Sequence, residues 1–235
     1  MNKVSNAISE YIPEIVYGAS DGIVTTFAVV AGYSGARLTG DSFQSLTVLT
    51  VLLFGFANLF ADGVSMALGN YLSNLSQKDK VEKVTFDIEA EEKKKHHKEV
   101  SNKFLLEKGF SETESKELTA KIESNKDFWP EWILFTKGIS TEVISKKPSR
   151  SSAMTFLSFV IFGLIPLLPF LILETNNENA LLYSFTGTLI ALIILGFVRW
   201  KAIGDSAFHA IGQIVLIGTI SAFTAFLVGS LIGSV

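Results

Sequence analysis

The sequence predicts an all-α polytopic membrane protein, with five transmembrane helices and a cytoplasmic helical insertion between the second and the third. Its 235 residues are 48% hydrophobic and only 18% charged, whereas an average soluble domain carries about 25% charged residues. About two thirds of the charged side chains are confined to residues 73–145. Outside that stretch, five apolar runs each reach the roughly 20 residues that cross a bilayer, where a helix satisfies its own backbone.

The first two runs each contain one acidic residue. Asp21 is the only charge in the first run, residues 15–36, and Asp62 is the only charge in the second, residues 42–77. The other three runs contain no Asp, Glu, Lys or Arg, and they cover residues 151–173, 179–198 and 206–235.

Small and rigid residues within the runs predict how the helices pack. Gly229 and Gly233 are four residues apart, a spacing that favours close approach of two membrane helices. Pro166 and Pro169 are expected to kink the third helix, either to fit its neighbours or to form a hinge.

The charge pattern also sets the predicted domain limits and orientation. Residues 1–72 hold an N-terminal segment and the first two spans, residues 73–148 form the insertion, and residues 149–235 hold the last three spans. Basic residues are concentrated on the side that carries the N-terminus and the insertion, which places that side in the cytoplasm and the C-terminus outside. Short loops and the lack of a recognisable targeting peptide favour a prokaryotic plasma membrane.

The insertion is predicted to fold as three helices. Residues 73–106 contain neither Gly nor Pro and predict a helix that continues the second span for on the order of 50 Å. Ser111 and Glu114 have the spacing of a capping box for a second helix, and Asp127 is expected to cap a third. Five side chains share one face of the long helix and are candidates for collecting metal: Glu82, Glu89, Glu92, His96 and Glu99. The alternative is a solvated face with i,i+4 ion pairs.

Asp21 and Asp62 are the strongest functional candidates, because an ionisable residue inside a span costs at least about 2.5 kcal/mol. The two are expected at similar depth on neighbouring helices. Asn58, Asp62 and Met66 recur at i, i+4 and i+8 and therefore share a helix face. Carboxylate, amide and thioether ligands suit a divalent transition metal better than Ca²⁺ or Mg²⁺. The alternative is a pair of aspartates bonded to hydroxyl groups, with Met66 filling the core.

A second ionisable pair lies at the cytoplasmic end of the fifth span. Asp205 and His209 are four residues apart, and Gln213 follows one turn deeper. Because histidine titrates near pH 6.5, the pair is a candidate proton relay. It fits equally well a hydrogen bond that terminates a helix.

The sequence excludes several classes of function. The absence of cysteine excludes disulfide, zinc-knuckle, iron–sulfur and thiol chemistry. A net charge of −3 predicts no basic surface for nucleic acid. No nucleophile elbow, phosphate-binding loop or dinucleotide motif occurs, and neither His96 nor His97 has the Glu-x-x-His spacing of di-iron carboxylate proteins. We therefore expect a protein that is not an enzyme and that holds no permanently bound cofactor.

The first two spans carry distinctive motifs, YGASDGIVTTFAVVAG at residues 17–32 and ANLFADGVSMALGNYL at residues 57–72. These motifs resemble the first-helix and second-helix signatures of the vacuolar iron transporter family. The stretch GLIPLLP at residues 163–169 is similar as well, and the resemblance extends over nearly the whole chain. The resemblance is to a prokaryotic-type member of this family.

The resemblance implies a homodimer in the lipid bilayer that moves Fe²⁺, and often Mn²⁺, out of the cytoplasm while protons move inward. It implies that Asp21 and Met66 line the translocation path. Asn58 stands where plant and yeast members carry an intramembrane Glu, and Asp62 is expected to supply that charge.

The resemblance also implies that the insertion collects metal on the cytoplasmic side. The family's third insertion helix usually presents paired Met residues, and Ile133 and Leu134 stand at the corresponding positions. This departure leaves Mn²⁺, and with it Co²⁺ and Zn²⁺, open beside Fe²⁺ as the transported ion.

The leading hypothesis is a proton-coupled exporter of Fe²⁺, Mn²⁺ or both that serves metal homeostasis and detoxification. The metal would be coordinated by Asp21, Asn58, Asp62 and Met66, and protonation of the aspartates would release it. The alternative is a membrane-anchored metal sensor or scaffold that works through its helical insertion.

Overall fold

The structure, a computed structural model, describes residues 11–39, 48–89, 94–139, 146–173, 179–204 and 206–234. Every regular element in these ranges is helical, and five helical segments are long and apolar enough to cross a membrane. The predicted class, an all-α polytopic membrane protein, is therefore confirmed. In chain order the α-helices are α1 (Ile12–Thr39), α2 (Val48–Glu89), α3 (Lys94–Glu107), α4 (Glu112–Glu123), α5 (Phe128–Thr136), α6 (Pro148–Gly163), α7 (Leu168–Ile172), α8 (Ala180–Ile203) and α9 (Ala207–Gly233).

The chain divides into two compact units. The membrane unit contains Met1–Asn70 and Ser149–Val235, and the insertion unit contains Tyr71–Pro148. Helix α2 therefore contributes its first part to the membrane unit and its remainder to the insertion unit. The five candidate spans are α1, α2, the α6–α7 segment, α8 and α9.

Helix α1 is the most buried of the five candidate spans, because its small residues let neighbouring helices approach closely. A Cβ atom added at Gly22 would collide with the backbone carbonyl of Phe159 in α6. A Cβ atom added at Gly229 of α9 would collide with the carbonyl of Gly32, so the close approach predicted at Gly229 is confirmed. Apolar side chains of α8 and α9 complete the core around the fully buried Ile23.

The third span is broken, as its two prolines predict. Helix α6 ends at Gly163, a 3₁₀ turn covers Ile165–Leu167, and α7 follows. Neither proline can donate a backbone hydrogen bond. The hydroxyl of Ser184 in α8 donates to the carbonyl oxygen of Pro166 at 2.7 Å, and Leu167 is completely buried. These contacts favour the interpretation of the kink as a packing feature.

The prediction of a single long helix over residues 73–106 is wrong. Helix α2 ends at Glu89, and α3 begins at Lys94 as a separate helix. The Nε2 atom of His97 lies 3.3 Å from the carbonyl oxygen of Asp87, whereas ten residues along one helix would separate these atoms by about 15 Å. Helix α3 therefore packs back against the end of α2, and side chains on the two helices do not share one face.

The physical reason is a small core that a straight helix would leave in water. Ile88 at the end of α2 packs against Trp129 and Ile133 of α5. The hydroxyl of Ser101 in α3 accepts a hydrogen bond from the indole N–H of Trp132 at 2.8 Å. The same hydroxyl lies 2.8 Å from that of Thr119 in α4, so one polar cluster joins three helices of the insertion unit.

The helix starts in the insertion unit follow the predicted signals, with one exception. Ser111 and Glu114 form the reciprocal capping box at the start of α4. Asp127 precedes α5 but makes no capping bond with its side chain. Instead, the side-chain oxygen of Asn125 accepts from the backbone N–H groups of Asp127 and Phe128, both at 3.2 Å.

We predict that mild acid destabilises the insertion unit through His97. Burial lowers the pKa of His97, and the nearby Lys137 lowers it further, although the hydrogen bond to the Asp87 carbonyl partly opposes this. The unfolded chain binds a proton on this ring near pH 6.5, whereas the folded chain binds it only at lower pH. Stability is therefore lost as the pH falls below about 6.5, down to the folded-state pKa.

The measurement is the thermal unfolding midpoint of the whole protein, monitored by tryptophan fluorescence at several pH values between 7.5 and 5. His97→Gln should reduce the loss in midpoint on acidification. His96→Gln alters the exposed neighbouring ring, whose charge is a smaller cause of the lowered His97 pKa, and it should leave most of that loss in place. Equal acid sensitivity in all three proteins would contradict the prediction.

Candidate metal site between α1 and α2

The structure brings the two intramembrane carboxylates together. Asp21 on α1 and Asp62 on α2 lie close enough for their charges to interact. The fully buried Phe159 of α6 explains this arrangement, because it packs on the glycine that follows each aspartate. Its backbone lies against Gly22, and its ring would be 3.3 Å from a Cβ atom at Gly63. The close approach of α6 to both helices thus fixes the two carboxylates at a common depth.

The remaining predicted ligands lie along the same helix as Asp62. Asn58, Asp62 and Met66 are all half-buried, whereas the neighbouring Ser65 is exposed. The next residue after Asn58, Leu59, is completely buried and directs this stretch of α2 into the bundle. The stripe therefore carries a carboxylate, an amide and a thioether at successive turns of α2, and its carboxylate lies near Asp21 of α1.

No positive charge in the described part of the chain neutralises the two aspartates by an ion pair. The only charge that acts strongly on Asp21 is the like charge of Asp62. Across the described ranges, no three His, Asp or Glu side chains are grouped as a metal site. A metal held between Asp21 and Asp62 would therefore draw its further ligands from Asn58, Met66, the backbone or water.

A buried polar network next to this site was not predicted. The hydroxyl of Ser151 in α6 is 3.0 Å from a carboxylate oxygen of Glu14 in α1 and 2.9 Å from the side-chain oxygen of Asn70 in α2. The amide of Asn70 donates to the hydroxyl of Thr155 at 3.2 Å. The network thus joins α1, α2 and α6. One signal pointed to Glu14, which precedes Asp21 by seven residues and so shares its helix face.

We predict that Ser151→Ala destabilises the membrane unit. Ser151 is completely buried, and its loss leaves Glu14 and Asn70 without a shared hydroxyl, at a cost of about 1–3 kcal/mol. The thermal unfolding midpoint in detergent should fall. Ser152→Ala provides the matched control, because the Ser152 hydroxyl has no hydrogen bond in the described ranges. A midpoint unchanged in Ser151→Ala would show that the network contributes nothing to stability.

The described metal-collecting candidates of the insertion unit lie on two separate helices and do not form a cluster. Glu82 is exposed and pairs with Lys78 at 3.7 Å, and His96 and Glu99 are also exposed. Glu92 and the side chain of Glu89 lie outside the described residues. Because α3 packs back on α2, the described members of the set, Glu82 on α2 and His96 and Glu99 on α3, do not lie along one continuous helix.

Ile133 and Leu134 have a structural role in the insertion unit. Both side chains are almost completely buried, and Ile133 belongs to the core with Trp129. Apolar residues at these positions therefore stabilise the unit, and they present no ligand to solvent.

The predicted proton-relay pair is only partly described. Asp205 lies outside the described residues, so its relation to His209 is not part of the structure. His209 instead contacts Gln213, whose amide nitrogen lies 2.9 Å from Nε2 of the ring. Arg199 of α8 donates to the side-chain oxygen of Gln213 at 2.8 Å. The sequence pointed to Gln213 by its helical spacing but gave no signal for Arg199.

Comparisons with known proteins relate the chain to vacuolar iron transporters. A family model described as the VIT family matches residues 12–230. The chain is 30% identical over 238 residues to a vacuolar iron transporter of Toxoplasma gondii, covering 97% of this chain and 76% of that protein. It is 30% identical over 229 residues to vacuolar iron transporter 1 of Oryza sativa subsp. japonica, covering 92% and 83%. It is 28% identical over 229 residues to vacuolar iron transporter 1 of Arabidopsis thaliana, covering 92% and 84%.

The match to the family model begins at the first residue of α1 and ends within α9, so it includes the first four candidate spans, most of the fifth, and the insertion unit. The family consists of transporters and not of enzymes. On the extent of this match, the chain belongs to the VIT family.

Proposed function

We propose that this metal transporter exports Fe²⁺ and Mn²⁺ from the cytoplasm in exchange for protons. The observation that carries the proposal is the pair of intramembrane carboxylates, Asp21 and Asp62, which lie close enough for their charges to interact and which form no ion pair in the described ranges. The names of the relatives, all of which refer to iron, support iron as one cargo ion.

Electrostatics explains why this pair would bind a cation. Two like charges within a low-dielectric environment repel each other by several kcal/mol unless a counter-charge lies between them. A divalent ion would neutralise both carboxylates at once, and the amide of Asn58 and the thioether of Met66, each one turn from Asp62 on α2, would complete its coordination. Oxygen ligands with one soft sulfur favour Fe²⁺ and Mn²⁺ over Mg²⁺ and Ca²⁺.

The same pair explains how protons would drive release. A carboxylate that accepts a proton loses its charge and most of its affinity for the metal, so H⁺ and M²⁺ compete for the same oxygens. Protons that enter from the outer side would displace the metal, and loss of those protons to the cytoplasm would restore the site. Exchange of metal for protons follows from this competition.

The finer features of the proposal rest on charge and on the family resemblance. The distribution of basic residues supports a cytoplasmic N-terminus and insertion unit, with the C-terminus outside. The resemblance supports a homodimer and a role for the insertion unit in collecting metal, and the residues of the proposed site leave Co²⁺ and Zn²⁺ open as further substrates. We place the protein in the plasma membrane of a prokaryote.

The proposal is tested by metal flux into proteoliposomes that contain a dye sensitive to divalent metals. Wild-type protein should carry Fe²⁺ and Mn²⁺ at rates well above those of protein-free liposomes, and Mg²⁺ should be carried slowly. Absence of flux for every transition metal, combined with metal binding by the protein in detergent, would favour the alternative of a membrane-anchored sensor.

A further inference from the structure

A chain of two hydrogen bonds connects α8 to the start of α9. Arg199 Nη1 lies 2.8 Å from Oε1 of Gln213, and Nε2 of Gln213 lies 2.9 Å from Nε2 of His209. Arg199 belongs to α8, whereas the other two residues lie on one face of α9 at a spacing of four residues.

The chemistry of the three groups fixes the direction of every hydrogen bond. A guanidinium group has donors only, so the Gln213 oxygen must accept and the Gln213 amide nitrogen must therefore point to the ring. That nitrogen is itself only a donor. The Nε2 atom of His209 must therefore accept with its lone pair, and the ring proton must lie on Nδ1.

We propose that Arg199 and Gln213 are positioning residues that hold His209 as the neutral Nδ1–H tautomer, and that protonation of His209 opens this link between α8 and α9. An imidazolium ring carries a proton on both nitrogens, so it cannot accept from Gln213. The two donors would then face each other, and one of the side chains must move away. The link is therefore a proton-sensitive latch.

The latch lies beside a close contact between α8 and α9. A Cβ atom at Gly196 of α8 would lie 2.7 Å from the Cα atom of Ile211, so the two helices are in close contact next to the latch. His209 is exposed and lies in the first turn of α9, at the end of the candidate span, where protons from the aqueous phase can reach the ring. Opening the latch thus releases polar side chains at the end of a tightly packed helix pair.

Other ionisable groups on the helices that pack against α9 are engaged elsewhere or lie farther along the chain. On α1, Glu14 contacts Ser151, Asp21 faces Asp62, and Arg37 lies in the last turn. On α8, Lys201 lies in the last turn and is exposed, and it adds positive charge near Arg199.

A role of the latch in coupling protons to metal export rests on the proposed function, but the latch itself does not. The test is ¹⁵N NMR of histidine-labelled protein in nanodiscs, where the three histidines are distinguished by means of His209→Gln. Wild-type protein at neutral pH should show Nδ1 of His209 protonated and Nε2 unprotonated. A ring with its proton on Nε2 would overturn the proposal, whatever the outcome of transport assays.

Two substitutions at Gln213 sharpen the test. Gln213→Glu replaces the donor by an acceptor that pairs with an imidazolium, so the titration midpoint of His209 should rise by about one pH unit or more. Gln213→Leu removes the donor, so the excess of the Nδ1–H form should disappear. Gln77→Glu adds the same charge to an exposed site on α2 and should change neither property. An unchanged midpoint in Gln213→Glu would contradict the latch.

Discussion

Replacement of Asp21 by Asn is expected to abolish metal flux while the helical bundle remains folded. The amide has the size of the carboxylate but no charge, and it cannot exchange a proton. We expect removal of one charged ligand to weaken metal binding by about 3 kcal/mol or more, which corresponds to about 100-fold or more in affinity, and metal flux should fall with it. The structure adds a reason to expect stability, since the mutation relieves the repulsion between Asp21 and Asp62.

Flux of Fe²⁺ and Mn²⁺ into proteoliposomes measures the effect, and the thermal unfolding midpoint in detergent reports on folding. Asp62→Asn should behave in the same way, because either substitution leaves a single carboxylate. Asp79→Asn removes an exposed carboxylate from α2 and should retain wild-type flux. Wild-type rates in Asp21→Asn would refute transport through this pair of residues.

The second large effect is expected from Gly229→Ala, which should strongly destabilise the membrane unit. The added methyl group would occupy the position of the Gly32 carbonyl oxygen in α1. Both colliding atoms belong to or adjoin the backbone, so no side chain can rotate to make room, and α1 and α9 must separate. Overpacking of this kind costs about 1–3 kcal/mol where side chains can adjust, and we expect the upper end of this range or more here.

Gly212→Ala is the matched control, because it makes the same change on the same helix where no atom lies within 4 Å of the new Cβ. Alanine there should be neutral or stabilising by up to about 1 kcal/mol, since glycine weakens a helix interior. The measurement is the thermal unfolding midpoint of each variant in detergent, compared with that of the wild-type protein. Equal midpoints for the two variants would show that the α1–α9 contact is not tightly packed.

The membrane architecture was predictable because the hydrocarbon core imposes a strong constraint on length and composition. Apolar runs of about 20 residues can do little else than span the bilayer, and the polar insertion stood out by its charge alone. Pro166 and Pro169 act locally through their missing N–H groups, so the break in the third span was also predictable from the sequence.

The course of the insertion was not predictable, because helical periodicity does not reveal where a helix is interrupted by tertiary packing. Residues 73–106 have the composition of a continuous helix, yet burial of Ile88 against Trp129 and contact of His97 with Asp87 favour a reversal. The break between α2 and α3 therefore separates candidate metal ligands that had been expected on one helix face. Local signals such as the capping box at Ser111 were reliable, because their partners lie within one turn.

The candidate site was likewise predictable from the sequence only in part. Asp21 and Asp62 were identified because charges inside a span are costly and therefore conspicuous. The network of Glu14, Ser151 and Asn70 was missed because its members come from three distant segments, and each of them is an ordinary polar residue near a helix end. Only packing of α6 between α1 and α2 brings them together.

Simultaneous measurement of metal and proton movement tests the central claim most directly. Proteoliposomes would contain both a metal-sensitive and a pH-sensitive dye, with Fe²⁺ or Mn²⁺ added outside. The account predicts that metal entry is accompanied by alkalinisation of the interior as protons leave, and that both signals disappear in Asp21→Asn. Metal entry without any proton movement, or coupled movement that persists in Asp21→Asn, would contradict it.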